Sequence, residues 1–378
     1  MGESALNESN ESATPFRLNP LTNHYDFEIT PPLLNSANPW ATTYDDLLSL
    51  FKCPSTGAVT IRTSLLSPFP HDPTIHQYTF FSPSTGRSTT TITTQGRPTK
   101  VKPSETSSLN TLGYSPISLD EYLGIISQIR KSDSFTRVMQ ERKTCKPFIL
   151  SVSGTAEEIA ACYQKIAATH ETMDREGGER SSGDTPLIME INLSCPNIPN
   201  KPPPAYNFHS LKEYLDSISD RISQLGDTFP KIPVGIKTPP YTHHGQFDSL
   251  IQALEESCES RGCPISFITA TNTLGSCIVL DESLKPALAS GNSIGTGGLA
   301  GDALHPLALG NVKTLRSLLD SSKWSHIRKL SIIGIGGVRD SEGYKRMKSV
   351  GADYVGVGTA LGREGVVVFD KILKGLEL

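Results

Sequence analysis

The residues best placed to do chemistry are two carboxamides and a thiol within six positions: Asn192, Cys195 and Asn197. They close an apolar run, Leu187 to Leu193, that follows Pro186 and is too short for a buried helix. Such a run reads as a strand buried on both faces. Beyond it the chain breaks into Ser194, Cys195, Pro196 and Asn197, then a loop with five prolines between Pro196 and Pro204. In a parallel α/β fold the C-terminal mouth of such a strand is where ligands bind. A cysteine there can act as base or nucleophile if its site helps, because a free thiol has a pKa of about 8.5 and is mostly protonated at neutral pH. Carboxamides donate and accept together, which suits the amide edges of a ring. Taken alone, Cys195 reads more simply as a small buried thiol; the rest of the chain reverses that reading.

Other polar residues fall at the ends of other apolar runs. Lys237 ends IPVGIKTPP, Asn272 and Thr273 end ISFITATNT, Gly336 and Gly337 end KLSIIGIGG, and Gly358 and Thr359 end the run in ADYVGVGTAL. A lysine in an apolar strand is rarely buried unless paired. Lys237 therefore either reaches solvent or faces a bound anion or an electron-rich ring. Glycines in successive loops after the last two strands of a barrel expose backbone N–H groups to phosphate, although glycines also serve plain turns. The upstream GTGGLAG, Gly295 to Gly301, reads as a flexible loop near the same end.

The elements that must position these residues alternate. From about residue 146 the chain runs KPFILSVSG (strand), TAEEIAACYQKIAATHETM (helix), LIMEINLSC (strand), SLKEYLDSISDRISQL (helix), IPVGIKTPP (strand), FDSLIQALEESCESRG (helix) and ISFITATNT (strand). It continues with ALGNVKTLRSLLDSS (helix), KLSIIGIGG (strand), DSEGYKRMKSVG (short helix), ADYVGVGTAL (strand) and VVVFDKILKGL (helix). GAVTIRTSL and EITPPLLNS supply two earlier strands. The count predicts a (β/α)8 TIM barrel of ordinary length. A doubly wound sheet would carry a glycine-rich fingerprint after its first strand, and PPLLNSANPW is not one. The expected organisation is a flexible tail over 1–20 and a single barrel over 21–378. Two segments interrupt the alternation. Residues 68–105, with Tyr78-Thr79-Phe80-Phe81 and the β-prone Thr89–Thr94, read as an antiparallel, β-rich insertion at the C-terminal face. Glu171 to Thr185, charged and Gly-rich, reads as a mobile surface loop.

Composition narrows the classes. The chain has 378 residues, 37% hydrophobic and 20% charged, with a formal net charge of −4. No strongly basic face is implied, so nucleic acid is not an expected partner. No apolar window is long enough to span a bilayer. The polar start MGESALNESNESATPF lacks the features of a secretory signal or a mitochondrial presequence. Seven irregularly spaced cysteines fit reduced cytosolic thiols, and no Cys/His cluster has zinc spacing, so no metal is expected.

The order of motifs NLSCPN–P–KP–AY–F, GIK-PPY, N-LG, GTGGLAG, IIGIGG and VGTAL resembles the class 1 dihydroorotate dehydrogenases, most closely the fumarate-using 1A subgroup. The similarity runs from about Pro31 to the C-terminus and is thin over 68–105. It implies a cytoplasmic, homodimeric FMN barrel that oxidises dihydroorotate to orotate in pyrimidine synthesis, with fumarate as electron acceptor. On that resemblance Cys195 matches the base that takes a proton from C5 of dihydroorotate while a hydride leaves C6 for the flavin. Asn110, Asn192, Asn197 and Asn272, with Thr273 beside the last, match groups that hold the pyrimidine. The backbone of Leu112, Gly113 and Tyr114 faces the substrate carboxylate. Ala37, Asn38, Arg62, Thr63, Asn192, Lys237 and Gly301 fall at the flavin, and Gly336, Gly337, Gly358 and Thr359 at its phosphate. The Pro-rich stretch after Cys195 matches an active-site lid.

Three positions leave the family pattern. Arg62 stands where the family has a lysine, an exchange that is not conservative at a tight site. Asn38 replaces a glycine near the flavin edge, and Thr269 an asparagine three residues before Asn272. Arg62 and Asn38 motivate an alternative, a divergent paralogue acting on another dihydropyrimidine or cyclic amide. A flavin-free phosphate-binding barrel lyase or isomerase and a non-catalytic FMN- or orotate-binding protein are further alternatives.

Overall fold

The computed structural model describes residues 17–19, 24–89, 101–142, 144–176, 186–194, 203–226, 228–291 and 293–376. Eight strands lie parallel in chain order: β1 (Leu33–Asn35), β2 (Val59–Thr60), β3 (Phe148–Val152), β4 (Leu187–Asn192), β5 (Val234–Lys237), β6 (Phe267–Ala270), β7 (Ser331–Ile335) and β8 (Tyr354–Val357). Each from β2 onward pairs with the next, and β8 returns to β1. Helix α1 (Tyr44–Lys52) joins β1 to β2, and α2 (Leu119–Arg130) and α3 (Asp133–Glu141) precede β3. Then α4 (Ala156–Glu176), α5 (Phe208–Leu225), α6 (His244–Ser260), α7 (His305–Ser321) with the short α8 (Ser325–Arg328), and α9 (Ser341–Ser349) alternate with the strands. Helices α10 (Thr359–Glu364) and α11 (Val367–Lys374) follow β8. This is the expected (β/α)8 barrel.

The strands are apolar on both faces because each face packs on something different. Leu187, Met189 and Ile191 of β4 point outward into the main core beneath the helices. Ile188 points inward, where it meets Leu34, Ile149, Phe267 and Ile333 in a second, smaller cluster that fills the lower barrel, with Phe27 and Ile29 joining it. One step further along the strands, at positions sharing that inward face, the interior turns polar: Ser151, Glu190, Lys237 and Thr269 are all buried there. The barrel is therefore plugged by hydrocarbon at one end and lined by hydrogen-bonding groups at the other.

The seam between β1 and β2 is thin. It holds one parallel bridge, Leu34 to Ala58, and the bond from Gly57 N–H to the Leu33 carbonyl at 2.8 Å. Asn35, fully buried, completes it with its side chain. Its Nδ2 donates to the Thr60 carbonyl at 2.6 Å, and its Oδ1 accepts the Thr60 N–H at 3.0 Å. The carboxamide thus stands in for a strand peptide. Nearby, fully buried Lys146 serves the end of α1: its ammonium donates to the carbonyls of Leu50, Phe51 and Cys53 at 3.0, 2.8 and 2.8 Å. Burial pushes its pKa well below the usual lysine range, and the carbonyls freed at the helix end offset that penalty.

A four-stranded antiparallel sheet adds to the barrel, in the order Leu274–Cys277, Gly297–Gly301, Ser107–Asn110, Tyr78–Phe81. The aromatic patch of the insertion is thus a strand, as expected; Thr89 is not in a strand, and Thr90 to Thr94 lie outside the described residues. Two expectations need correction. Gly297–Gly301 of GTGGLAG is a strand paired on both sides, not a flexible loop. Its glycines allow close approach: a Cβ on Gly297 would lie 2.2 Å from the Asn110 carbonyl oxygen, and one on Gly298 2.2 Å from Thr273 Oγ1. Likewise Glu171–Glu176 completes α4 rather than starting a loop, and 177–185 lie outside the described residues. Of the N-terminal tail, Arg17–Asn19 is described, paired with His24–Asp26.

Asn35→Leu would leave the Thr60 N–H and carbonyl buried without partners, and is expected to lower stability by about 3 kcal/mol. Urea unfolding measures it; a loss below about 1 kcal/mol would mean the seam closes without the carboxamide.

Candidate active site

The C-terminal ends of the barrel strands and the antiparallel sheet enclose one cleft of about 1150 Å³, counting the space open to solvent at its mouth. Every described residue that the resemblance assigned to the substrate or the flavin lines it. Cys195 and Asn197 lie outside the described residues, as does most of the Pro-rich stretch, so the chain is followed only to Ser194.

Asn192, the last residue of β4, anchors a carboxamide cluster. Its Nδ2 donates to Thr63 Oγ1 at 2.9 Å, and its Oδ1 accepts from Ser194 N and Oγ at 3.2 and 2.8 Å. Asn272, just beyond β6, donates through Nδ2 to Asn192 Oδ1 at 3.2 Å and to Ser194 Oγ at 2.9 Å. Its Oδ1 accepts the Thr273 N–H at 2.8 Å. Thr269 does not take an asparagine's place in the cleft; its hydroxyl turns to Glu190 at 2.7 Å.

The opposite wall comes from the segment after the Ser107–Asn110 strand. Asn110 ties two elements together, Nδ2 donating to the Gly298 carbonyl at 3.1 Å and Oδ1 accepting Leu112 N–H at 3.3 Å. Arg62 is 7% exposed and donates to the Gly113 carbonyl at 3.2 Å. Gly113 has no alternative: a Cβ there would sit 2.1 Å from the Phe69 ring. Phe69 also meets Tyr114 edge-on at 5.8 Å, and the Tyr114 hydroxyl lies 3.1 Å from Ser153 Oγ. The insertion thus reaches the site through Phe69 and braces the backbone that Arg62 holds.

At the far end of the cleft stand the glycines. Gly336 (φ 140°) and Gly337 (φ 72°) turn tightly after β7. A Cβ on Gly336 would lie 2.4 Å from Ala308 Cβ, and one on Gly337 2.6 Å from His305 Cβ. Arg346 Nε donates to His305 Nε2 at 3.1 Å, which leaves Nδ1–H of His305 to donate to the Gly336 carbonyl at 2.6 Å. Helix α10 begins at Thr359 after Gly358 as its N-cap; its first N–H groups have no partner within the helix, and no side chain caps them. Thr359 is tied to Ser108 by a 2.9 Å hydroxyl pair. Gly301 (φ 80°) closes this end, where a Cβ would come within 2.5 Å of the Thr106 carbonyl oxygen.

Ala37, Asn38, Thr63 and Lys237 line the cleft as well. Asn38 does not adopt positive φ, and its side chain folds into its own turn, donating to the Ser36 carbonyl at 2.6 Å and accepting Trp40 N–H at 2.9 Å. Lys237 is 4% exposed. It faces Asn192 in the strand register, and no carboxylate among the described residues pairs with its ammonium. A buried cation in that state calls for an anion or an electron-rich group in the cleft.

The family profile described as dihydroorotate dehydrogenase matches residues 79–378. The chain belongs to the dihydroorotate dehydrogenase family. It is 28% identical over 274 residues to dihydroorotate dehydrogenase A (fumarate) of Lactococcus lactis subsp. cremoris MG1363, spanning 72% of this chain and 74% of that protein. It is 29% identical over 271 residues to dihydroorotate dehydrogenase (fumarate) of Lachancea kluyveri, spanning 71% and 72%. The crystal structure of a ligand-free type dihydroorotate dehydrogenase from Eimeria tenella shares the fold, with a TM-score of 0.61 at 16% identity, covering 91% of this chain and 83% of that one. The chain is thus an oxidoreductase of this family, and the flavin-free lyase reading falls away.

Several cleft residues escaped the sequence reading. Trp40 and Tyr78 form an edge-on pair at 5.3 Å, and Asp302 accepts from Arg339 Nε at 3.0 Å at the glycine end. From the sequence Tyr78 reads only as part of the aromatic patch of the insertion, and nothing sets Trp40, Asp302 or Arg339 apart; only their spatial convergence marks them. Among the described residues no helix is long and apolar enough to cross a membrane, and no group of His, Cys, Asp or Glu could hold a metal ion.

Gly337→Ala forces a side chain into a left-handed position against His305 and the Gly301 carbonyl. It is expected to lower stability by about 2 kcal/mol in urea unfolding; an unchanged curve would show that the loop yields freely.

Proposed function

We propose that this protein oxidises dihydroorotate to orotate in pyrimidine biosynthesis, with FMN as its resident cofactor and fumarate as electron acceptor. The observation that carries the reading is Lys237, a buried ammonium without an anionic partner among the described residues, in register with Asn192 and lining the same cleft as two glycine turns. The residues present fit FMN. Gly336, Gly337, Gly358 and Thr359 would hold its phosphate through backbone N–H groups, Ala37, Asn38, Thr63 and Gly301 would border it, and Lys237 would face its ring system. When bound, FMN supplies the two-electron acceptor that no side chain can provide.

The chain's own residues do the rest. Asn110, Asn192, Asn197, Asn272 and Thr273 orient the pyrimidine, while the backbone of Leu112, Gly113 and Tyr114 meets its carboxylate. Cys195 takes the proton from C5. Lys237 holds positive charge where negative charge develops. The Pro-rich segment after Cys195 acts as a lid that excludes water. Cytoplasmic location and a homodimeric state belong to the same reading and rest on the family resemblance.

Arg62 favours one alternative, a paralogue for another dihydropyrimidine. Its guanidinium is tied to the Gly113 carbonyl, beside the place read for the substrate carboxylate, and cannot become neutral as lysine can. Initial rates across a panel of dihydropyrimidines separate the two: dihydroorotate should be the best substrate.

Purified protein should be yellow and form orotate from dihydroorotate and fumarate. Cys195→Ser should keep its flavin and lose at least about 100-fold in turnover, the scale of a missing general base. Undiminished turnover would remove Cys195 from the role. Lys237→Ala should weaken FMN retention after gel filtration; full retention would remove the ammonium from the cofactor's surroundings.

A further inference from the structure

A hydrogen-bond chain of one polarity runs from the mouth of the cleft to a buried carboxylate below it. Glu190 is 2% exposed, inside the barrel. Its oxygens accept from Ser151 Oγ at 2.8 Å and from Thr269 Oγ1 at 2.7 Å. With the Ser151 proton committed to Glu190, the 2.9 Å contact between the Ser151 and Thr63 hydroxyls must have Thr63 as donor. Thr63 Oγ1 is then left to accept, and it takes Nδ2 of Asn192. That orients the Asn192 carboxamide, with Oδ1 toward Ser194 and Asn272. Every link donates toward Glu190.

The count at the mouth follows. Asn192 Oδ1 already receives three donors, while its Nδ2 keeps one hydrogen to spare. Asn272 has directed its amide hydrogens to Asn192 and Ser194, while its Oδ1 receives the Thr273 N–H and keeps a lone pair. The pair therefore keeps one spare donor and one spare acceptor. The complement is a ring that presents both a carbonyl and an N–H, as a cyclic amide or imide does.

We infer that Glu190 is a positioning residue: it sets the direction of the chain through Ser151 and Thr63, and so makes the Asn192–Asn272 pair selective for a ring presenting both a C=O and an N–H. The inference rests on the proposed function, which puts a pyrimidine dione in this cleft. Were the chain reversed, Asn192 would turn its oxygen to Thr63 and set its nitrogen against the Ser194 and Asn272 donors.

The test is equilibrium binding of orotate to the full-length FMN-loaded protein, followed by the change in flavin absorbance. Ser151→Ala cuts the chain, and Thr269→Val removes the other donor of the same carboxylate without touching it. Ser151→Ala should bind orotate at least about tenfold more weakly at unchanged flavin content, the scale of one buried hydrogen bond lost. Thr269→Val should stay within about twofold of wild type, which a merely structural role for Glu190 would not produce. Wild-type affinity in Ser151→Ala, or an equal loss in Thr269→Val, would overturn the inference. If Ser151→Ala does not fold, Thr63→Val at matched flavin occupancy carries the same expectation. Wild-type protein that binds no orotate sinks the functional reading, and the inference with it.

Discussion

The architecture depends on closing a parallel barrel where its first two strands scarcely touch. β2 is two residues long, and the first strand pair has a single bridge. The Asn35 carboxamide supplies the missing ladder by bonding both backbone groups of Thr60. The site hangs from that seam. Immediately after Asn35 comes the turn holding Ala37 and Asn38, and after Thr60 come Arg62 and Thr63. The Arg62 N–H reaches back to the Ala41 carbonyl at 2.9 Å, so the two stretches are bound together beyond the seam as well. A barrel that opened there would separate Thr63 from Asn192 and release the guanidinium from Gly113.

The second constraint is the division of the barrel interior. Hydrocarbon fills the lower end, where Phe267 occupies the space that Gly235 leaves free. Hydrogen-bonding groups line the upper end, and a continuous run of them is satisfied by one another, from Thr269 and Ser151 through Glu190 to the carboxamides. Such a fully connected network is stiff, because any member that turns leaves a neighbour unpaired in a low-dielectric interior. Lys237, a buried cation lining the cleft, and the buried Thr271 hydroxyl stand outside that network. The glycine end is stiffened differently, by backbone turns whose Cβ positions are already filled and by His305 holding the Gly336 carbonyl.

The barrel was legible because strand–helix alternation leaves a periodic trace from Lys146 onward, and because polar residues interrupt apolar runs at the same relative position each time. Helices α1 and α2 went unread although each carries a capping box, Thr43 with Asp46 and Ser118 with Glu121. They sit in the half of the chain where the insertion breaks the alternation. GTGGLAG misled for a physical reason: glycine marks both flexibility and close approach, and only the partner strand distinguishes them. Glu190 and Ser151 were invisible as site residues, since one polar residue in a buried strand does not report which others share its face around a closed barrel. Arg62 was visible as a departure from the family pattern, but its bond to Gly113 and the Phe69 brace behind it depend on the fold of the insertion.

The proposed function has the cleft bring a flavin and a cyclic amide together over Lys237 and Asn192. Anaerobic titration of the purified protein with dihydroorotate tests it most directly. The flavin band should bleach in proportion to added dihydroorotate, up to one equivalent per bound flavin, and return when fumarate is added. A flavin that stays oxidised in excess dihydroorotate, or a protein that takes up no FMN, would contradict it.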